Sequence, residues 1–329
     1  MGTRTLKRVG DYELTGRLGS GGMSRVYRAV RAGDHTEVAL KLTPVENDVD
    51  VDIADFHREV LVGRRLQHPR CVTATAHGID NGYLFIVMPI VNGIPLSQTT
   101  RLRDPNRTPT SRRSSAWKCQ WAADRLEKQW GNIASLAVHA CKALEACHNA
   151  GVIHRDIKPG NLLMDKSGET WLIDFGLAWM HRGPQGHELV THAGTNRYLP
   201  PEVFDKQRDE RSDIYSLGLT MQELTTGLKP WGDISHEEIG ACRPDKRVEP
   251  THSIREDVPQ VLADWIDPAA ADDPRERHQT ATELLEHARL VREKLVPTET
   301  VCVEETTLRT MTWQASPPAS SLTEDVWFS

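Results

Sequence analysis

The chain has 329 residues, 38% apolar and 26% charged, which suits a globular protein of two domains, or one large domain with lobes, and excludes wholesale disorder. With 40 basic and 46 acidic residues the net charge is −6, so no global basic excess invites nucleic acid. The longest apolar run, Tyr83 to Val91, is about half of a membrane span, and no secretory leader, myristoylation signal or prenylation box is present; the expectation is a cytoplasmic protein.

The first ninety residues read mostly as strands. Tyr12–Leu18, Arg25–Val30 and Val38–Leu42 alternate or run apolar, broken by Gly19, Gly21, Gly22 and Gly33. Asp52–Leu66 carries helical spacing, with Phe56, Val60 and Leu66 on or near one face. Cys71–Ile79 and Tyr83–Val91 predict a second strand pair, joined by Asp80-Asn81-Gly82, a strong hairpin signal.

After Gly93 the composition changes. Ser97 to Ser115 holds eight Ser or Thr and five Arg against one Asp, a basic flexible loop by composition. Trp117 and Trp121 lie one helical turn apart and, with Trp130, predict a small apolar cap. Helical periodicity returns from Ile133 to Asn149. Cys141 and Cys147 fall on that helix, and six cysteines without a CxxC pair fit buried thiols better than a disulfide framework or a metal site. Short strands and loops fill Val152–Ile173, helices dominate from Arg211 to Leu295, and the tail from Pro297 reads as acidic and disordered. The expected division is 1–91 as a strand-rich lobe, 92–131 as hinge exit and basic insertion, 132–295 as a helical lobe, and 296–329 as tail.

The chemistry begins at Leu18-Gly-Ser-Gly-Gly-Met-Ser-Arg-Val26, between two predicted strands. Glycines let a hairpin lie close over phosphates, because no Cβ blocks the approach of the backbone N–H groups. Alone, such a cluster is more often a plain turn. Lys41, on a strand, and Glu59, on the amphipathic helix, could pair, although a lone strand lysine is ordinarily a solvated edge charge. The second cluster changes the balance. His154-Arg-Asp-Ile-Lys-Pro-Gly-Asn161 precedes a short apolar strand, and Asp174-Phe-Gly176 follows Trp171-Leu-Ile. Phosphoryl transfer needs a carboxylate to orient the attacking hydroxyl and oxygen ligands for a divalent metal; Asp156 can supply the first, Asn161 and Asp174 the second.

With this set the chain resembles the protein-kinase family, specifically the bacterial serine/threonine kinases of eukaryotic type. The family's Gly-rich loop, strand Lys, helix Glu, HRDxxxxN, DFG and APE stand in order, the last as Pro200-Pro-Glu202. Gly194-Thr-Asn-Arg-Tyr-Leu199, Asp213-Ile-Tyr-Ser-Leu-Gly218 and Asp273-Pro-Arg-Glu-Arg277 are further family marks, with Arg277 implied to pair with Glu202. The resemblance covers about Tyr12 to Val291 and implies an α+β, bilobal protein-kinase-like fold, with a small β-rich lobe holding one helix and a larger helical lobe.

The roles it implies are specific. Leu18, Gly19, Gly21, Gly22 and Val26 would cover ATP, with Ala39, Met88, Val91 and Leu163 also in the nucleotide site. Lys41 would hold the α- and β-phosphates, oriented by Glu59. Asp156 would be the catalytic base, with Lys158 and Thr195 beside it. Asn161 and Asp174 would bind Mg²⁺, for which Mn²⁺ can substitute. Arg155 would receive a phosphate on Thr191, the one hydroxyl residue between Gly176 and Gly194. His154 and Phe175 are packing elements. The implied partners are proteins with Ser or Thr acceptors, and neither nucleic acid nor a membrane span.

Two departures stand out. Ser24 replaces the third glycine of the loop. Gly63 stands where the family has an apolar residue, which costs about 1 kcal/mol of helix propensity against Ala and is expected to thin the packing behind the helix. The alternative functions are a pseudokinase scaffold that binds nucleotide without catalysis, and a small-molecule phosphotransferase. Lys41, Asp156, Asn161 and Asp174 weigh against the first, and the complete 174–202 segment against the second.

Overall fold

The computed structural model describes residues 6–20, 24–45, 50–99, 130–180, 196–203, 208–232, 234, 238–239 and 247–296. The chain divides into two units, Met1–Val296 and Pro297–Ser329, and every described residue belongs to the first. Gly21, Gly22, Trp117, Trp121, Thr191, Thr195, most of the basic insertion and the tail lie outside the described residues.

Six antiparallel strands form the first sheet: β1 (Arg8–Val9), β2 (Tyr12–Ser20), β3 (Arg25–Arg31), β4 (Glu37–Pro44), β5 (Ala76–Asp80) and β6 (Tyr83–Pro89), in the order β1-β2-β3-β4-β6-β5. Its two faces follow the period of two. Val38, Leu40 and Leu42 of β4 join Phe85 and Val87 of β6 under Val9 and Tyr12. Leu84 and Ile86 turn the other way and pack on Phe56 and Val60 of α1 (Asp50–Arg65). Asn81 and Gly82 take φ of 50° and 75°, the paired left-handed conformation of a tight hairpin turn, as the Asn-Gly signal predicts.

The run Cys71–Ile79 is a strand only in its second half. Residues 70–72 pair across to the other lobe instead: Leu172 N donates to Arg70 O at 2.8 Å and Val72 N to Leu172 O at 2.9 Å. This segment touches α1 where Gly63 sits. A Cβ built on Gly63 would lie 2.3 Å from the backbone oxygen of Ala74 and 2.9 Å from its Cβ. The expectation of thinned packing is therefore reversed: Gly63 is buried, and its missing side chain is what allows the close approach.

The second lobe is built on α2 (Trp130–Asn149), α3 (Glu210–Thr226), a helical turn α4 (Thr251–Ile254), α5 (Gln260–Ala269) and α6 (Ala281–Leu295). Small residues on α2, from Ala134 to Ala143, let Trp265, Leu284 and Val291 of the neighbouring helices close on its Leu136 and Leu144. Trp130 packs on this core beneath the Arg255 guanidinium, 4.7 Å from its ring. Asp209 caps α3 by accepting from Arg211 N at 2.8 Å, and Gly227, with φ 80°, ends it. Thr280 caps α6, accepting from Glu283 N. Three short strands bridge the lobes, β7 (Gly93–Pro95), β9 (Leu162–Asp165) and β10 (Thr170–Leu172), while β8 (Val152–Ile153) pairs with β11 (Trp179–Met180). Among the described residues no helix is long and apolar enough to cross a membrane. Thr99, assigned by composition to the flexible loop, is fully buried.

Candidate active site

Register brings the first group together. Gly19 of β2 opposes Val26 of β3, Val26 opposes Lys41 of β4, and Lys41 opposes Ile86 of β6. One row further along β4, Ala39 opposes Met88. Side chains two apart on a strand share a face, so Ala39 and Lys41 both point to the side on which α1 packs. Leu18 is 45% exposed, and Leu163 lies on β9 opposite Pro95. Val91 follows β6 on the segment between the lobes.

Lys41 Nζ forms an ion pair with Glu59 and a second with Asp174 Oδ1 at 3.1 Å. Burial disfavours the ammonium, but Asp174 and Glu59 together raise the Lys41 pKa above its ordinary value. Glu59 is itself raised, by burial first, with Asp174 adding to the effect. Asp174 goes the other way: desolvation opposes ionisation, yet the Lys41 ammonium holds the carboxyl below its usual range. The DFG segment is locked beneath. Phe175 is buried with its ring 4.8 Å from that of His154, confirming both as packing elements. A Cβ on Gly176 would meet Glu59 Oε1 at 3.0 Å, and the Gly176 carbonyl accepts from Arg58.

The segment His154–Asn161 follows β8 and ends in a 3-10 turn, Pro159–Asn161. Lys158 Nζ donates to Asp156 Oδ2 at 2.7 Å and Oδ1 at 3.0 Å. Asn161 Nδ2 donates to Asp156 Oδ2 and to its backbone oxygen, both at 2.8 Å. Asp156 is thus fixed from two sides. Its neighbour Arg155 has φ 67°, and Asp174 shares that value; both are non-glycine residues in the left-handed region, which the packing around them must enforce.

The family model described as protein kinase domain matches residues 12–290. The chain belongs to the protein kinase domain family. It is 34% identical over 278 residues to the serine/threonine-protein kinase PknD of Mycobacterium tuberculosis, covering 84% of this chain and 39% of that protein. It is 31% identical over 285 residues to a probable serine/threonine-protein kinase PknB of Corynebacterium glutamicum, covering 83% and 41%. The chain thus spans about two-fifths of the length of the curated relatives it matches. In fold it is similar to the PknI kinase domain of M. tuberculosis, with a TM-score of 0.60 and 24% identity over 86% of this chain and 97% of that one.

Within this kinase fold, three roles escape a reading of the sequence. Asp213 accepts from His154 N at 2.7 Å, from Arg155 N at 2.8 Å, and contacts His148 Nε2 at 3.0 Å. Burial opposes its ionisation, but His148 and the His154 N–H bring its pKa below the usual carboxylate range. The sequence marks Asp213 by motif without saying what it touches. Arg58 ties α1 to the DFG glycine, a contact that no local pattern announces. The imidazole of His148 is paired with the Asp213 carboxylate, and among the described residues no group of three or more His, Cys, Asp or Glu is placed to hold a metal ion. The expected pair between Arg277 and Glu202 is present and bidentate, at 2.7 and 2.8 Å.

Proposed function

We propose that this chain is a protein serine/threonine kinase, which transfers the γ-phosphate of Mg-ATP to Ser or Thr hydroxyls of proteins and to itself. What carries this reading is the interlocked set Lys41–Glu59–Asp174 facing Asp156–Lys158–Asn161. A nucleotide-binding scaffold without catalysis would not need Asp156 fixed from two sides. The named relatives support the Ser/Thr class. The proposed division keeps 1–91 and 132–295 as the two lobes, 92–131 as hinge exit and insertion, 296–329 as tail, and a cytoplasmic location goes with it.

The donors present fit a hard divalent cation. Asp174 is held ionised with its side chain 47% exposed, and the Asn161 amide nitrogen is committed to Asp156, which leaves its carbonyl oxygen as the available ligand. Asn161 and Asp174 would hold Mg²⁺, or Mn²⁺ in its place, which when bound offsets the negative charge on the phosphates. Lys41 binds the α- and β-phosphates, and Glu59 keeps its ammonium aimed. Asp156 accepts the hydrogen bond of the substrate hydroxyl and orients it toward the γ-phosphorus. As the new P–O bond forms and the bond to the β-phosphate oxygen breaks, the proton passes to Asp156, with Lys158 countering charge on the transferred group. Leu18, Gly19, Val26, Ala39, Met88, Val91 and Leu163 are assigned to the nucleotide. Gly21, Gly22 and Thr195 keep their assigned roles from the motif.

Regulation belongs to the same reading. The Arg155 guanidinium lies 5.5 Å over the Trp179 ring, and its Nε is buried with no hydrogen-bond partner among the described residues. Burial, with Arg208 and Arg58 nearby, brings its pKa down to about 10. A guanidinium whose buried Nε lacks a partner, with Arg208 and Arg58 nearby, supports a phosphate receptor, and a phosphate on Thr191 would supply a charge of about −1.5 to −2 and three acceptors.

Asp156→Asn tests the proposal. Autophosphorylation should be lost while nucleotide affinity stays near wild type, whereas Asp174→Asn should weaken metal-dependent nucleotide binding as well. Full activity in Asp156→Asn would favour the scaffold. Phosphosite mapping of active protein, with Thr191→Ala assayed alongside, tests the switch.

A further inference from the structure

Among the described residues Cys71, Cys141 and Cys147 are free and buried, and two of them meet from distant parts of the chain. Cys147 stands in the last turn of α2, and Cys71 in the connection between α1 and β5. Cys71 Sγ lies 3.6 Å from the Ala143 carbonyl oxygen, one helical turn before Cys147. A helical side chain leans toward the turn on its N-terminal side, so the Cys147 sulfur reaches back to the place where Cys71 sits. The two thiols are hydrogen-bonded to each other.

This pair is polarised. The hydrogen bond with Cys147 and the nearby His68, whose Nδ1 is 4.0 Å from Cys71 Sγ, lower the Cys71 pKa against the effect of burial. The same bond, together with burial, raises Cys147. A thiolate is the nucleophile in thiol oxidation, so Cys71 is suited to attack and Cys147 to resolve. Cys71 is also the outer member, 7% exposed beside exposed Pro69, while Cys147 is fully buried. Cys141 is the contrast on the same helix: burial, then Glu145, raises its pKa, and no second thiol acts on it.

We propose that Cys71 and Cys147 form a peroxide-responsive dithiol that closes to a disulfide between the α1–β5 connection and α2. The Cys71 sulfur attacks one oxygen of hydrogen peroxide, the O–O bond breaks and water leaves, giving a sulfenic acid. The Cys147 sulfur then attacks the Cys71 sulfur. The S–S bond forms as the S–O bond breaks, and the hydroxyl leaves with the Cys147 proton as a second water. Two thiols are oxidised to one disulfide, and one hydrogen peroxide is reduced to two waters.

The position of the bond gives it a consequence. A disulfide brings its sulfurs to about 2 Å, so closure draws the segment around Cys71 toward α2. Two contacts already converge on that segment. Leu172, two residues before Asp174, pairs with the backbone of Arg70 and Val72, and Ala74 abuts Gly63 of α1. The cross-link would fasten the root of α1 to the large lobe.

The test treats the folded full chain with hydrogen peroxide, alkylates the remaining thiols after denaturation, and maps the unreduced peptides by mass spectrometry. A peptide pair joined through Cys71 and Cys147 is expected, lost on reduction with a dithiol, while Cys141 is alkylated in full. Cys147→Ser removes the resolving sulfur, so Cys71 should accumulate as a sulfenic acid that a cyclic diketone captures. Cys141→Ser should leave the yield of cross-link unchanged. The wild-type map needs no substitution, so it decides the matter even where a variant fails to fold. Cys71 and Cys147 both recovered as alkylated thiols, or joined in no greater yield than in the denatured chain, overturn the proposal.

Discussion

Asp213 holds Arg155 in the left-handed region, its Oδ1 accepting the Arg155 backbone N–H at 2.8 Å while φ stays at 67°. Such a conformation costs a non-glycine residue about 1–3 kcal/mol, and the charge-assisted hydrogen bonds from 154 and 155 offset it. The next residue is Asp156, so this buried carboxylate on α3 sets the direction of the one proposed to act in catalysis. Asp213→Asn keeps the shape but turns one acceptor oxygen into an N–H donor facing another donor. Stability should fall by about 2–3 kcal/mol, and kcat by about tenfold or more through misorientation, with ATP affinity little changed. Asp213 has a depressed pKa, so its contribution is complete above about pH 4 and disappears as pH falls through the folded value. Thermal melts from pH 7 to 3 should show that acid loss shrink in the variant.

At Gly63 two effects of opposite sign compete. Replacing glycine by alanine inside a helix gains about 1 kcal/mol of propensity. Here the new methyl group would sit 2.3 Å from the Ala74 backbone oxygen, which no side-chain rotation relieves. Overpacking of this kind costs about 1–3 kcal/mol, and the obstacle is backbone, so the upper part of that range applies. Gly63→Ala should therefore lower the melting temperature. It should also push α1 outward, carrying Glu59 away from Lys41 and reducing kcat. A variant more stable than wild type with full activity would show that the 72–75 segment yields freely.

Legibility in the sequence followed the range of the interactions. The strands β2, β3, β4 and β6, helix α1 and the Asn81-Gly82 turn are written in local periodicity and turn chemistry, and they form as expected. The candidate site was readable because its residues sit at fixed offsets, Asp156 to Asn161 in one loop and Asp174 to Gly176 in another. Contacts between distant segments were not. The half of Cys71–Ile79 that leaves the sheet does so because residue 172 offers it backbone partners, a hundred residues away. Gly63 looked like a helix defect until Ala74 was seen against it. A cavity beside Met164 is lined by Ser135 of α2, Glu169 of the β9–β10 turn and Arg292 of α6, which no window of sequence joins.

Glu59 and Asp174 share one ammonium, and this divides their roles. Glu59 is buried, with 6% of its side chain exposed, whereas 47% of the Asp174 side chain is exposed. Glu59→Gln keeps the shape and a hydrogen-bond acceptor but removes the charge that draws Lys41 toward α1. The ammonium should then shift toward Asp174 and compete there with the divalent cation. The expected result is a lower kcat together with a several-fold higher Mg²⁺ concentration for half-maximal activity. Kinase assays across a Mg²⁺ titration read both. Wild-type kcat with an unchanged Mg²⁺ midpoint would show that Asp174 alone positions Lys41.

Arg277 uses all five of its N–H donors in a site where it is 3% exposed. Nε donates to Ala271 O at 2.7 Å; Nη1 to Glu202 Oε1 at 2.7 Å and Arg211 O at 3.0 Å; Nη2 to Glu202 Oε2 at 2.8 Å and Asp272 O at 2.9 Å. Its face stacks on Tyr215, 4.7 Å from the ring centre. Lysine offers three donors on a tetrahedral head and cannot reproduce that planar fan. Removing one partner of a buried pair leaves the other charge stranded, at a cost of about 3–5 kcal/mol. Arg277→Ala should lose stability in that range, and Arg277→Lys should recover only a small part of it. Glu202→Gln keeps the size and one acceptor oxygen, so it should cost less than Arg277→Ala. The double variant should be no worse than Arg277→Ala alone, since each change removes the same interaction. Denaturant midpoints for the wild type, Arg277→Ala, Glu202→Gln and the double variant measure the coupling. Additive losses would show that Arg277 acts through the 271, 272 and 211 carbonyls and owes little to Glu202.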